Sequence, residues 1–192
     1  MDIIAPFKAF LEPWKEMKNL KGSLISGLIY NEIGAVILLL ATVIFSFKIL
    51  GPVTSLGMLG RLSGPTFFLL IYYFLILVPV GLLTLSAIYY AIAELFGGKG
   101  SFDQQTFLLG AVSLPAEIFV IVVYLTTYLT TGLLSLVVGL LLLLWLPVVF
   151  FFVLKETHQL SNIKTIVVEF TPVMLLLLLA VIEIMSAISV FR

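Results

Sequence analysis

The residues of this chain that could do chemistry are few, and most of them are glutamates. The 192 residues contain no cysteine and a single histidine, His158. Disulfides, iron–sulfur clusters, thiolate zinc sites and thiol nucleophiles are therefore excluded, and any other metal site would be short of ligands. Five glutamates lie within long apolar stretches or at their ends: Glu32, Glu94, Glu117, Glu169 and Glu183. Carboxyl groups in such surroundings can carry protons, bind a cation or form hydrogen bonds to a neighbouring helix.

A second candidate group lies in a loop between two apolar stretches. It comprises Gly97, Gly98, Lys99, Gly100 and Ser101, together with the distant His158. A phosphate-binding P-loop would need a glycine at Ala93 and a serine or threonine at Gly100. The pattern instead predicts helix ends, with a left-handed cap at Gly97 or Gly98 and a capping box of Ser101 and Gln104. We expect His158 to be a satisfied interfacial residue and not a catalytic base, because it has no positioned partner in the sequence.

The overall composition is typical of an integral membrane protein. Hydrophobic residues make up 62% and charged residues 10% of the chain, against roughly 45–50% and roughly 25% in soluble domains. The mean hydropathy is +1.27. Ten basic residues balance ten acidic ones, so no net positive field would attract nucleic acid, and nucleic-acid binding is not supported.

Five apolar stretches are long enough to cross the hydrocarbon core as helices, which takes about 20 residues. They cover residues 23–47, 66–93, 107–128, 133–154 and 166–191. The predicted fold class is therefore an all-α integral membrane protein, a bundle of five transmembrane helices. Residues 1–22 are predicted to form a cytoplasmic amphipathic segment at the headgroups, and residues 23–192 the five-span membrane domain.

Two spans carry small and polar residues at helical spacing: Gly27, Asn31 and Gly34 in the first, and Gly110, Ser113 and Glu117 in the third. With two glutamates of the fifth span, they define a candidate intramembrane polar seam of Asn31, Glu32, Ser113, Glu117, Glu169 and Glu183. One interpretation is a path for protons, a cation or a headgroup. The other is that neutral glutamates join helices by hydrogen bonds, and here we expect a protonated Glu117 bonded to Ser113.

The order of these motifs resembles a known family. Gly-Gly-Lys-Gly-Ser-Phe at 97–102 follows the second span, Ala-Val-Ser-Leu-Pro at 111–115 lies in the third, and Lys-Glu-Thr-His-Gln-Leu-Ser at 155–161 precedes a fifth span carrying Pro172. This arrangement is similar to the Yip domain family, the Ypt-interacting proteins, over nearly the whole chain. The resemblance implies a multi-pass protein with a cytoplasmic N-terminus. Its eukaryotic relatives lie in the ER and Golgi and associate with Rab-type GTPases and one another.

The chain differs from those relatives in two ways. It lacks their long polar N-terminal region, and Tyr-Asn-Glu-Ile-Gly at 30–34 stands where they have Asp-Leu-Tyr-Gly-Pro. Small-GTPase binding is therefore doubtful, and the chain resembles the short prokaryotic members, which would place it in a prokaryotic cell membrane. For these members the resemblance brings no established activity.

The function expected from the sequence is a membrane-organising or protein-interaction module without enzymatic activity. No hydrolase motif is present, and no cofactor is expected. The expected partners are the lipid bilayer and either other membrane proteins or a second copy. The alternative is a small transporter or channel that uses the intramembrane glutamates for a proton or cation.

The distribution of basic residues predicts the orientation in the membrane. Seven lie on the side of the N-terminus: Lys8, Lys15, Lys18, Lys21, Lys99, Lys155 and Lys164. Three lie on the other side: Lys48, Arg61 and Arg192. The positive-inside rule therefore puts the N-terminus in the cytoplasm and the C-terminus outside.

Cysteine labelling can test this orientation, because the chain has no native cysteine. Lys99→Cys should react with a membrane-impermeant maleimide only from the cytoplasmic side, and Thr130→Cys only from outside. Intact cells and inverted vesicles provide the two sides. The reverse labelling pattern would overturn the predicted orientation.

Overall fold

The computed structural model describes residues 4–41, 72–129 and 133–190, and within these ranges it contains helices and no strands. Seven α-helices follow one another: α1 Ile4–Leu11, α2 Pro13–Glu16, α3 Leu24–Ala41, α4 Val78–Leu95, α5 Phe102–Leu129, α6 Leu133–His158 and α7 Asn162–Val190. A 3-10 turn, Met17–Asn19, follows α2, and a π-helical stretch, Tyr73–Leu77, precedes α4.

Helices α3 to α7 are long and apolar enough to cross a membrane. The predicted all-α bundle of five membrane-spanning helices is therefore confirmed. The beginning of the second predicted span lies outside the described residues, as do Lys48, Arg61 and Arg192. Thr130, Thr131 and Gly132, for which the sequence predicts a tight turn, also lie outside them. The π-helical stretch ends at Leu77, two residues before Pro79. Proline has no N–H for the regular helical bond, which favours an irregular turn on its N-terminal side.

Helix α5 is the central element of the bundle. In its apolar window 39% of the residues are buried, against 28% in α3 and α4, 17% in α7 and 11% in α6. Leu108, Ala111 and Leu114 of α5 are almost completely buried, as are Val149 and Val153 of α6. Helix α5 therefore positions most of the side chains discussed below.

Helices α3 and α5 touch through their backbones. A Cβ atom added to Gly110 would overlap the carbonyl of Gly27, and one added to Gly27 would lie 2.7 Å from the carbonyl oxygen of Thr106. Farther along, a Cβ at Gly34 would lie 3.1 Å from the Cα of Leu114. The two helices are therefore parallel, and glycine is required where they approach most closely.

The N-terminal helix α1 packs on α5, and its last residues also contact α6. The rings of Phe10 and Phe119 are 5.3 Å apart, and the indole N–H of Trp145 donates to the carbonyl of Phe10 at 2.8 Å. The helix is interrupted before Pro13, which leaves carbonyl groups of its last turn without helical donors. Trp145 satisfies one of them. The position of residues 1–22 at the headgroups stays a prediction.

Alanine at Gly110 should weaken the contact between α3 and α5. Overpacking of this kind costs about 1–3 kcal/mol, and the backbone of Gly27 leaves no flexible side chain to give way. The matched control is Gly139→Ala, whose Cβ would meet only Val123 Cγ1, at 3.9 Å. Both variants gain the same helix propensity, so the difference between their unfolding free energies in mixed micelles measures the contact. Equal unfolding free energies for the two variants would contradict a close backbone contact between α3 and α5 at Gly110.

Candidate functional site

The candidate loop residues and His158 come together at one end of the bundle. Gly97 has a φ of +81°, which confirms the left-handed cap predicted at the end of α4. The amide of Gly98 donates to the carbonyl of Ala93 at 2.9 Å, and the amide of Lys99 donates to the carbonyl of His158 at 3.1 Å. The loop backbone therefore closes α4 and also binds the last residue of α6.

The start of α5 has half of the predicted capping box. The hydroxyl of Ser101 accepts the backbone N–H of Gln104 at 3.2 Å, as expected of an N-cap. The second bond of a capping box, from the backbone N–H of Ser101 to the side chain of Gln104, is not formed, so this part of the prediction is wrong. The side-chain amide of Gln104 donates instead to the carbonyl of Leu20 at 2.8 Å. Gln104 thereby connects α5 to the segment that leads into α3.

His158 joins three helices through one hydrogen-bonded chain. Its side chain is completely buried, and its Nε2 lies 2.5 Å from Oε1 of Gln105. Gln105 Nε2 donates to the backbone carbonyl of Ser86 at 2.7 Å, so the Oε1 atom is the acceptor and His158 carries a proton on Nε2. The chain runs from α6 through α5 to α4.

Two glycines allow the loop to lie directly on the end of α6. A Cβ at Gly98 would lie 3.0 Å from Nδ1 of His158, and one at Gly100 would overlap the carbonyl of Thr157. Nδ1 has no hydrogen-bond partner among the described residues. No group of three histidine, cysteine or carboxylate residues that could hold a metal occurs in the described ranges. The arrangement is therefore suited to holding helices together.

Sequence reasoning missed three participants in this cluster: Gln105, Ser86 and Lys164. Gln105 is completely buried, and its only signal in the sequence is a second glutamine at the start of an apolar helix. The ammonium group of Lys164 donates to the carbonyl of Phe96 at 2.8 Å, where a cation stabilises the C-terminal end of α4. The Ser86 contact uses a backbone carbonyl, which no side-chain pattern indicates.

The second candidate group forms a polar wall inside the bundle. Asn31, Ser113 and Glu117 line a cavity of about 400 Å³ bounded by α3, α4, α5 and α6. One carboxyl oxygen of Glu117 packs against the backbone of Gly34. The hydroxyl of Ser113 donates to the carbonyl of Gly110 at 2.8 Å, so the predicted bond from Ser113 to Glu117 is wrong.

The glutamates of the predicted seam do not all lie in one place. Glu117 contacts α3 at Gly34, two residues after Glu32, and each glutamate has one buried oxygen without a partner in the described chain. Glu169 is 8% exposed, and its backbone carbonyl accepts the hydroxyl of Tyr89 at 3.4 Å. Glu183 is exposed on α7. The structure therefore brings Asn31, Glu32, Ser113 and Glu117 together, but places Glu169 and Glu183 elsewhere.

Two substitutions in the loop test whether it stabilises the protein through its backbone or through the side chain of Lys99. Gly97→Val should destabilise the protein by about 1–2 kcal/mol, because a side chain at φ +81° is strained. Lys99→Gln should leave the stability nearly unchanged, since its contact with His158 uses backbone atoms. Unfolding in mixed micelles measures both. An equal loss in the two variants would show that the Lys99 side chain has a structural or binding role.

Comparison with known proteins identifies a family. The family model described as the Yip1 domain matches residues 3–182. No curated protein and no solved structure matches the chain. The matched region includes the glycine loop, His158, the helices α3 to α6 and α7 as far as residue 182, and it agrees with the resemblance noted in the sequence. The chain belongs to the Yip1 domain family.

Proposed function

We propose that this membrane protein is a non-enzymatic membrane-organising module that associates laterally with a second copy of itself. The observation that carries the proposal is the exposure of α7. Every residue from 173 to 182 is exposed, and the large apolar side chains there are 49–67% exposed. At 1.5 Å per residue this part of the helix is about 15 Å long, or roughly half the hydrocarbon core.

The other half of α7 is attached to the bundle. Thr165 and Val168 are completely buried, and the hydroxyl of Tyr89 on α4 reaches the backbone of Glu169. Helix α7 is thus anchored at one end and stands away from the described helices at residues 173–182. In a bilayer, helices associate through van der Waals packing because lipid chains are as apolar as leucine. A helix exposed on all sides offers such packing to the same helix of a second copy, related by two-fold symmetry.

The use of the polar groups supports a role without catalysis. His158 and Gln105 are hydrogen-bonded to each other, and Ser113 is bonded to the backbone of its own helix. The first bond joins α6 to α5, the second satisfies a hydroxyl within α5, and neither places a nucleophile beside a base. The alternative, a small transporter or channel for a proton or cation, is favoured by one observation: Glu117, which lies near Glu32, lines a cavity.

Disulfide crosslinking tests the association. Single cysteines are introduced, one per variant, at each position from 173 to 182 of the otherwise cysteine-free chain. The positions that crosslink into dimers should recur every three to four residues, as expected of one helix face. Leu143→Cys and Leu144→Cys on α6 are the controls, since these side chains are 64% and 70% exposed. Dimers should persist when the protein is diluted in lipid. Dimers at all positions alike, or at none, would contradict the proposal.

Proton flux into proteoliposomes distinguishes the transporter alternative from the proposed membrane-organising module. A pH-sensitive dye should report the same proton leak with wild-type protein, with Glu117→Gln and with empty liposomes. A flux that depends on Glu117 would favour the transporter.

A further inference from the structure

The cavity beside Glu117 has the dimensions and walls of a small-molecule site. Its volume of about 400 Å³ lies within the range of roughly 300–1,000 Å³ found for ligand pockets. Apolar side chains of α4, α5 and α6 form most of the wall, including Leu82, Leu109 and Val149, and the rings of Tyr73 and Phe150 also line it. The cavity therefore suits an apolar molecule that can include a flat ring.

Two polar groups on the wall have no partner among the described residues, the amide of Asn31 and one carboxyl oxygen of Glu117. Asn31 lines the cavity and is only 7% exposed, and its Nδ2 atom has no hydrogen-bond partner among the described residues. An amide nitrogen carries two N–H donors, and a buried donor without an acceptor is costly. A ligand with an acceptor oxygen would satisfy it.

The charge of the lining residues restricts the ligand further. No lysine or arginine is among the described residues that line the cavity, and Glu117 is the one carboxyl group among them. An anionic ligand would therefore meet no opposite charge and would be close to a carboxyl group. A cationic ligand would leave the amide donor of Asn31 unsatisfied. An uncharged molecule with a carbonyl oxygen would accept the bond that Asn31 offers and would bring no second charge next to the carboxyl group of Glu117.

We propose that the cavity binds an uncharged, lipid-soluble molecule whose carbonyl oxygen accepts a hydrogen bond from the side-chain amide of Asn31. The apolar body of the ligand lies along α4 and α5, beside Gly81. A Cβ at Gly81 would have no described heavy atom within 4 Å, so the backbone of α4 leaves open space there. The proposal is independent of lateral association, because no described residue of α7 lines the cavity.

Photolabelling of the full-length protein in lipid nanodiscs tests the proposal. The probe is an alkylbenzophenone, whose carbonyl group is both a hydrogen-bond acceptor and the reactive group on illumination. Mass spectrometry should locate the adducts on residues that line the cavity. An alkyl phenyl ketone should compete at least tenfold better than an alkylbenzene of the same chain length, which lacks the acceptor.

Two variants separate the volume of the cavity from its polar group. Gly81→Leu should fill the open space and abolish the labelling that the ketone competes for. Gly139→Leu is the matched control and should label like wild type, because a Cβ there meets only Val123 Cγ1, at 3.9 Å. Asn31→Leu should remove the preference for the ketone over the hydrocarbon.

Three results would overturn the proposal. They are cavity labelling that persists in Gly81→Leu, equal competition by ketone and hydrocarbon in the wild type, and stronger competition by an alkylamine, which would indicate a cation site at Glu117. The thermal midpoint of each variant shows whether it folds. If Gly81→Leu does not fold, the ratio of the two competitors in the wild type and in Asn31→Leu decides.

Discussion

The close approach of α3 and α5 is the constraint on which the interior of this bundle depends. Lipid provides no hydrophobic drive for helices to meet, so the stability of a membrane bundle comes from close packing and hydrogen bonds. Gly27 and Gly110 allow backbone to meet backbone, and Gly34 leaves space for the carboxyl group of Glu117. Because the helices meet this closely, Asn31 and Glu117 border the same cavity. A larger residue at Gly27 or Gly110 would push α3 and α5 apart, and with them Asn31 and Glu117.

The end of the bundle near His158 is held by a different kind of interaction. Side chains and a loop amide bind backbone carbonyl groups of neighbouring helices: Gln105 binds the carbonyl of Ser86 in the middle of α4. At helix ends, Lys164 binds the carbonyl of Phe96 and the amide of Lys99 binds that of His158. Terminal carbonyl groups have no partner within their own helix. Bonds of this kind therefore join helices without requiring a matching side chain. The bond from Lys164 also fixes the first turn of α7 to the end of α4. Residues 173–182 of the same helix are exposed and do not pack on the described helices.

Local physics explains which features the sequence predicts. Five spans follow from the thickness of the hydrocarbon core, the cap at Gly97 from the need for a positive φ, and the small-residue faces of α3 and α5 from glycines at helical spacing. That these two faces meet each other was not predicted. The bond from Ser113 to Glu117 was a wrong prediction because a carbonyl one turn earlier is always within reach of a helical serine. Pairings over long separations, 53 residues from Gln105 to His158 and 135 from Phe10 to Trp145, leave no periodic signal.

The pairing of the first span with the third, and not only with its neighbour in sequence, has a consequence for biogenesis. Helix α3 contains Asn31 and Glu32, and it is synthesised before Gly110 and Glu117 exist. Roughly 80 residues separate the two stripes, which corresponds to about 4–16 s of translation at ~5–20 residues per second. During that interval the first helix has no glycine partner for its polar stripe. It therefore remains beside the insertion machinery or in lipid until α5 is made. The rate of translation through the second span determines how long the side chains of Asn31 and Glu32 are without this partner helix.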